Sequence, residues 1–476
     1  MNHIKPKVVV IGAGSLFFGQ KAIWSMNQLP GLIGGELCLV DTEPRNLERM
    51  LKLGQMAAES SGSGTRITGT TNFREALPGA DFVVLSFSEQ NSHFRRIDCE
   101  VSAKYGVRMC SGDTIGPGGV FRAMREFGQI LEITKEVESV CPDAWVINYI
   151  NPSSVMGIGL FRHSKVKSFA LCDTHHMPNK KLSYLKMLGL EESELDSCDI
   201  RIAGVNHFTW MLQATHRGRD IIPDLRDAFY QLSLSEKDTG YAKGRFNSHI
   251  TAQLTDVFGA LPTCTGHTKE YLPYYQGRSP IRESIPPLSV FDCDEREALT
   301  EKMWEDIDRY FTGEKTMEEF YASHSADHAT DIINTMVTED QRTYFINRTN
   351  NDCVVGQGRA VGNMPDDAFL ELECVLDRNG PRPLHVGDFP YGLRSLQMQI
   401  LDVHELTIEA IMLRDRGLLI RALALDPLVQ SIATAKQIVD ELLIAQADVL
   451  GDWSTPVVTA KDSNVGLVSG SAPQLY

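Results

Sequence analysis

The chain has no apolar run near the ~20 residues needed to cross a bilayer, no paired CxxC cysteines, and a shortage of positive charge. It carries 46 Lys and Arg against 62 Asp and Glu, a formal net charge of −16. The first absence excludes a helical membrane span. The second argues against a ribbon-type zinc site or a dithiol redox centre, so the ten scattered cysteines read as thiols of a reducing compartment. The third argues against nucleic acid or an anionic membrane as partner, although a local cationic pocket could still take an anionic substrate. Internal repeats and low-complexity blocks are also missing. The opening MNHIKPKVVVIGAGS runs straight into a strand and a glycine turn, which predicts a cytoplasmic protein without a secretory leader.

What is present is an alternation of strands and helices. KVVVIGAG (7–14) is a β-branched run ending in glycines, and FFGQKAIWSMNQL after it has helical spacing. Strands ELCLVD (36–41), DFVVLSFS (81–88), AWVINYI (144–150) and KSFALCD (167–173) follow, separated by helical stretches 42–59, 91–104, 120–139 and 153–163. This order predicts an α/β fold: a Rossmann-like doubly wound parallel sheet over residues 1–195. The alternation then stops. IRIAGVNHFTWMLQAT predicts a strand pair, AFLELECVLDRNGPRPL a hairpin turning at Asn379-Gly380, and 391–449 a long amphipathic helical run. Residues 196–476 are therefore expected to form a larger α+β domain packed on the first, and the last ~25 residues a tail.

Gly12, Gly14 and Ser15, in GAGS between strand and helix, suit a dinucleotide pyrophosphate, because bare backbone can approach it and the helix supplies N–H donors. The third glycine of GxGxxG is replaced by Phe17, and a tight strand–helix turn is the plain alternative. Asp41, ending the second strand, can accept hydrogen bonds from an adenosine ribose and favours NAD over NADP. It comes later than the usual ~20-residue spacing, and the loop Pro30–Gly35 takes up the excess. FALCDTHHMP (169–178) places a thiol, a carboxylate and two imidazoles behind an apolar run. The residues alone leave a metal site, a redox site and a polar loop open, since these groups are too close together to form a closed zinc motif.

GAGS, SGDTIGPGGVFRAMRE, INYINPSSV, CDTHH and AGVNHFTW, in that order and at these intervals, resemble glycoside hydrolase family 4, the NAD- and divalent-metal-dependent glycosidases. The likeness runs from about residue 7 to 450. It implies a homodimer or homotetramer that acts on a small-molecule glycoside through NAD and a divalent metal, usually Mn²⁺. The implied chemistry removes hydride from C3, deprotonates C2, eliminates the C1 leaving group, adds water and returns the hydride. By the same resemblance Cys172 and His207 hold the metal, Asp173 is the acid, and Tyr271 in the YLPYY segment is the base, with Tyr274 and Tyr275 as rivals. His175 and His176 stay open as acid or further ligand. His267 and Glu270 face substrate in the resemblance, while Asn148, Asn151 and Asn206 suit either sugar hydroxyls or turns.

Family members specific for 6-phosphosugars carry an RVGG-like stretch that SFSEQNSHFRRIDCE (86–100) lacks. This leans toward unphosphorylated α-galacturonides, α-galactosides, α-glucosides or α-glucuronides, with a slight preference for a hexuronide. Arg95, Arg96, Arg122 and Lys269 could pair with a uronate or serve as surface or interdomain cations. The competing readings are an NAD-dependent hydroxy-acid or sugar dehydrogenase, which would accumulate NADH with product, and a catalytically silent nucleotide-sensing protein.

Overall fold

A computed structural model describes residues 5–453, except 17, 112, 173–174, 177–178, 236–245, 280–284, 352 and 355–357. The strands are β1 (Lys7–Ile11), β2 (Glu36–Val40), β3 (Arg66–Thr70), β4 (Phe82–Leu85), β5 (Trp145–Asn148), β6 (Lys167–Ala170), β7 (Cys198–Val205), β8 (Phe208–His216), β9 (Arg219–Asp220), β10 (Leu261–Pro262), β11 (Thr343–Thr349), β12 (Phe369–Asp377) and β13 (Gly380–Pro383). Their order is β10-β8-β7-β12-β11-β6-β5-β4-β1-β2-β3, with β13 beside β12 and β9 beside β8. From β3 to β6 every pairing is parallel. The central strands KVVVI and FVVL are almost wholly buried, as expected for a sheet covered by helices on both faces. Strand β3, RITGT, escaped the sequence reading because it is an edge strand with one strongly apolar residue and no buried one.

The second half departs from a separately packed domain. Strand β11 pairs antiparallel with β6 through Asn347 and Ala170, so the antiparallel strands extend the same sheet. One register row runs Ile11, Leu85, Asn148, Ala170, Asn347, Glu371, Gly204, Thr209. Paired residues face the same side, so this row sets chemistry from both halves along one line.

The hairpin at Asn379-Gly380 is present, with Asp377 paired to Gly380. The run 391–449 divides into helices Tyr391–Leu413, Arg416–Leu425 and Ile432–Ala445. The breaks follow local chemistry. Arg414 takes the left-handed conformation at φ 50, Asp415 caps the second helix through the N–H groups of Gly417 and Leu418, and Ser431 caps the third. No helix among the described residues is long and apolar enough to cross a membrane. The expected C-terminal tail lies outside the described residues.

Candidate active site

The glycine turn follows β1. Gly12 sits at φ 90 and a Cβ there would lie 2.6 Å from Phe87 N, so only glycine fits between β1 and the chain leaving β4. The backbone N–H groups of Gly12 and Ala13 donate to Val40 O, and that of Gly14 donates to Asp41 Oδ2 at 2.7 Å. Asp41 also accepts from Glu43 N at 2.9 Å. The carboxylate at the end of β2 is thus held at the turn. Ser15 opens the next turn, its carbonyl accepting from Gly19 N. Gly19 was overlooked: a Cβ would lie 2.3 Å from Ala13 O. It allows the close approach of helix Gly19–Gln28 that the third glycine of the fingerprint normally provides, two positions later than expected.

Cys172 lies two residues beyond β6. Its Sγ is 3.5 Å from His207 Nδ1. His207 occupies a two-residue hairpin turn with Asn206, closed by the Val205–Phe208 pair, and adopts φ 63. This turn aims the imidazole across the sheet to the end of β6. Cys264 Sγ approaches the same Nδ1, also at 3.5 Å, and the His267 ring stacks on His207 with centroids 4.0 Å apart. His207, Cys264 and His267 each bring a donor atom within 4.8 Å of the others, and all are buried. The sequence reading missed Cys264, since a lone cysteine before GHTKEY carries no spacing signal. The pairing of β10 with β8, continued by the hydrogen bond from Thr263 N to Thr209 O (3.0 Å), brings it beside the turn.

A buried polar network holds that turn. His175 Nδ1 lies 2.7 Å from Glu371 Oε1 and His175 Nε2 lies 3.0 Å from Thr263 Oγ1, whose own oxygen is 2.7 Å from Thr209 Oγ1. Asn206 Nδ2 donates to the other Glu371 oxygen at 3.3 Å. Burial keeps His175 below its ordinary pKa, against the pull of the Glu371 carboxylate. Burial also raises the Glu371 carboxyl, but the adjacent His175 and its hydrogen bond outweigh this and leave it below the usual range. A neutral imidazole donating from Nδ1 to a carboxylate and accepting at Nε2 from the Thr263 hydroxyl satisfies every group. His175 is therefore a brace. His176 instead pairs with Asp331 at 3.1 Å, half-buried.

Tyr271 is buried. Its hydroxyl donates to Asn206 O at 3.0 Å, its ring stacks on Phe208, and burial pushes the phenol well above its ordinary pKa. Tyr274 is half exposed and Tyr275 binds Gln253, so of the three only Tyr271 reaches the turn. Glu270 is fully buried and accepts from Ser111 N at 2.7 Å. Asn148 uses both ends of its amide on the Ile150 backbone, which closes the loop after β5 and does not present the amide to a ligand. Asn151 is partly exposed before Pro152. Asp173 lies outside the described residues. Among the cations, Arg96 pairs with Asp294 on the surface, whereas Arg95 and Arg122 are buried on either oxygen of Asp113. Lys269 is buried, with Nζ 2.9 Å from Asn247 Oδ1. Asn347 is a further overlooked residue. It is fully buried directly opposite Glu371, and neither end of its amide has a hydrogen-bond partner among the described residues.

A thread of contacts joins the two centres. Phe18, at the glycine turn, stacks on Tyr149 with centroids 4.1 Å apart. The Tyr149 hydroxyl accepts from Ala329 N at 2.7 Å, and the neighbouring His328 Nδ1 lies 3.0 Å from Cys172 O.

Comparison with known proteins shows the family. A model described as family 4 glycosyl hydrolase matches residues 7–188, and one described as the family 4 glycosyl hydrolase C-terminal domain matches residues 202–429. An alpha-galactosidase of Bacillus subtilis is 29% identical over 461 residues, covering 94% of this chain and 98% of that protein. An alpha-galacturonidase of Lachnoclostridium phytofermentans is 26% identical, covering 91% of this chain and 93% of that protein. The crystal structure of a 6-phospho-alpha-glucosidase from gut microorganisms, in complex with NAD and Mn²⁺, superposes with a TM-score of 0.75 at 20% identity. It covers 94% of this chain and 99% of that one, a likeness of fold.

Proposed function

The chain belongs to family 4 of the glycosyl hydrolases, and from that premise we propose that it hydrolyses unphosphorylated α-hexosides or α-hexuronides, α-galacturonides foremost. In this reading NAD occupies the turn Gly12–Ser15 with Asp41, and a divalent ion such as Mn²⁺ sits on Cys172 and His207. The observation that carries it is the convergence of buried sulfur on His207 Nδ1, joined by packed groups to a glycine turn with a carboxylate on its N–H. Thiol and imidazole from separate segments form an incomplete coordination shell, as a catalytic site requires. When bound, the nucleotide supplies reversible hydride abstraction from C3 and the ion supplies Lewis acidity toward the sugar oxygens.

The protein's residues do the rest. Gly12, Gly14 and Ser15 let the pyrophosphate come close to the turn because no large side chain intervenes, their own N–H groups being held by Val40 O, Asp41 Oδ2 and Gly12 O, and Asp41 accepts from ribose hydroxyls. Asn206, His267 and Glu270 orient the sugar ring, Asn151 stands at the loop after β5, and the Asn347 amide adds a contact at the floor. Tyr271 Oη, whose hydroxyl points at Asn206 O, first loses its proton to solvent and as phenolate takes the proton from C2. Burial makes that phenol a reluctant base, so activity should rise with pH. Asp173, next to the metal cysteine, delivers the proton to the leaving oxygen. Arg122, buried against Asp113 with Nε unpaired among the described residues, is the cation we assign to a uronate; it stands three links from Glu270, through Asp113 and Ser111.

The test is a panel of p-nitrophenyl α-glycosides, α-uronides and 6-phosphoglycosides assayed with NAD⁺, Mn²⁺ and a thiol reductant, each omitted in turn. Fastest release from an α-galacturonide with no net NADH is expected. Faster release from phosphorylated sugars would overturn the substrate class, and NADH accumulating with product would replace the hydrolase by a dehydrogenase.

A further inference from the structure

We propose that Gln397, on the helix Tyr391–Leu413, is a positioning residue for His207: its side-chain amide clamps the β7–β8 turn and so sets where that imidazole meets the ion. The proposal rests on the reading of His207 as a metal ligand. The turn is not self-supporting by its type. Two-residue hairpin loops favour turns with left-handed backbone at the first central residue or at both, and other turns splay the strands. Between Val205 and Phe208 the central residues are Asn206 and His207, and of these two only His207 takes the left-handed conformation, at φ 63. Such backbone at a residue other than glycine costs on the order of 1–3 kcal/mol and persists only where its surroundings over-determine it.

Gln397 supplies that constraint. Its Oε1 accepts from Val205 N at 2.7 Å, and its Nε2 donates to Phe208 O at 2.9 Å. One amide thus spans the two backbone groups that flank the turn, and those groups fix its orientation, since an N–H needs the carbonyl end and a C=O the amino end. The side chain is fully buried, so bulk water does not compete for either bond. A helix that only packed against β7 would be better served by an apolar side chain here, because burying an amide costs free energy unless both its ends are bonded. Tyr271 and Glu371 hold the backbone oxygen and the side chain of Asn206. Val205, Asn206 and Phe208 are therefore all tied down, and His207 between them is directed at Cys172, whose Sγ lies 3.5 Å from its Nδ1. Gln397 stands 192 positions from Val205, and no motif marks it.

The experiment titrates metal-free full-length protein with Mn²⁺ by calorimetry and records nitrogen coupling to the bound ion by pulsed electron paramagnetic resonance. Wild type, Gln397→Met, Gln397→Glu and His207→Ala are compared, with folding checked by circular dichroism and NAD affinity by fluorescence quenching. Gln397→Met keeps the length but neither hydrogen bond, and is expected to weaken Mn²⁺ binding at least ~10-fold, to diminish the nitrogen coupling and to leave NAD affinity within about twofold of wild type. Should it fold poorly, Gln397→Glu carries the test: it keeps the shape and the bond to Val205 N, sets an acceptor against Phe208 O, and is expected to show the same losses. Wild-type Mn²⁺ affinity and nitrogen coupling in the folded Gln397 variants, with both lost in His207→Ala, overturns the proposal and leaves the metal reading intact. Equal weakening of NAD and Mn²⁺ binding means general loosening and also overturns it. Unchanged Mn²⁺ binding in His207→Ala overturns both.

Discussion

The nucleotide turn and the thiol–imidazole cluster are built in opposite ways. The turn is backbone. Its pieces lie within about one βαβ unit, its glycines are required by space, and a single carboxylate, Asp41, fastens Gly14 N. The cluster is side chain. Its members come from the end of β6, the β7–β8 turn and the segment after β10, and a buried network through Glu371 on β12 holds them. Backbone-built sites fail by steric intrusion at one residue. Clusters assembled from side chains fail through any brace, including residues that touch no ligand.

Breaking the cluster at its centre should have the largest effect. Cys172→Ser is expected to lower kcat at least ~10³-fold, several kcal/mol of metal-assisted stabilisation, while NAD affinity measured by fluorescence quenching stays within about twofold of wild type. Comparable loss of NAD binding would mean that the two centres are one unit.

Breaking only the brace sharpens the contrast. Glu371→Gln keeps the shape but removes the charge that accepts from His175 and Asn206, and metal affinity should fall about 10–100-fold with the nucleotide site untouched. Unchanged metal affinity by calorimetry would make the network a packing feature alone. For the turn, Gly14→Ala places a Cβ 2.7 Å from Asp41 Oδ2. The carboxylate must shift, and the Kd for NAD should rise about tenfold, roughly 1.4 kcal/mol, with metal binding unaffected.

A fourth, smaller effect concerns the start of the GPGG helix, Gly116–Val140. Asp426 accepts from Gly116 N and Leu428 N, and burial pushes its carboxyl up to about 7. A carboxyl raised above its unfolded value of ~3.9 stabilises most below that value and loses this contribution as pH rises through the folded value. Wild type should therefore lose stability relative to Asp426→Asn between pH 4 and 8, by a few °C in Tm. A difference independent of pH would remove the assignment.

The parallel half was legible because each strand is a short β-branched run before glycine or a polar turn, and its covering helices repeat with the right period. Gly12, Asp41, Cys172 and His207 could be picked out for the same reason: each follows a strand or sits in a strand-ending turn. Cys264, Asn347 and Glu371 were illegible, since nothing local marks them. Strand register, Asn347 opposite Ala170 and Glu371 opposite Gly204, brings those two to one line, and Cys264 joins them from the segment after β10. Edge strand β3 and the continuity of the sheet from β6 to β11 were hidden likewise, being decided by long-range pairing that local pattern does not record.

The most direct test of hydride borrowing beside a sulfur-held ion is to run cleavage in D₂O with substoichiometric NAD⁺ and Mn²⁺ and to locate label in the released sugar. Deuterium at C2, with none at C3 and no net NADH, is the expected result. Cleavage that leaves C2 unlabelled, or that proceeds in protein stripped of nucleotide, would contradict the account.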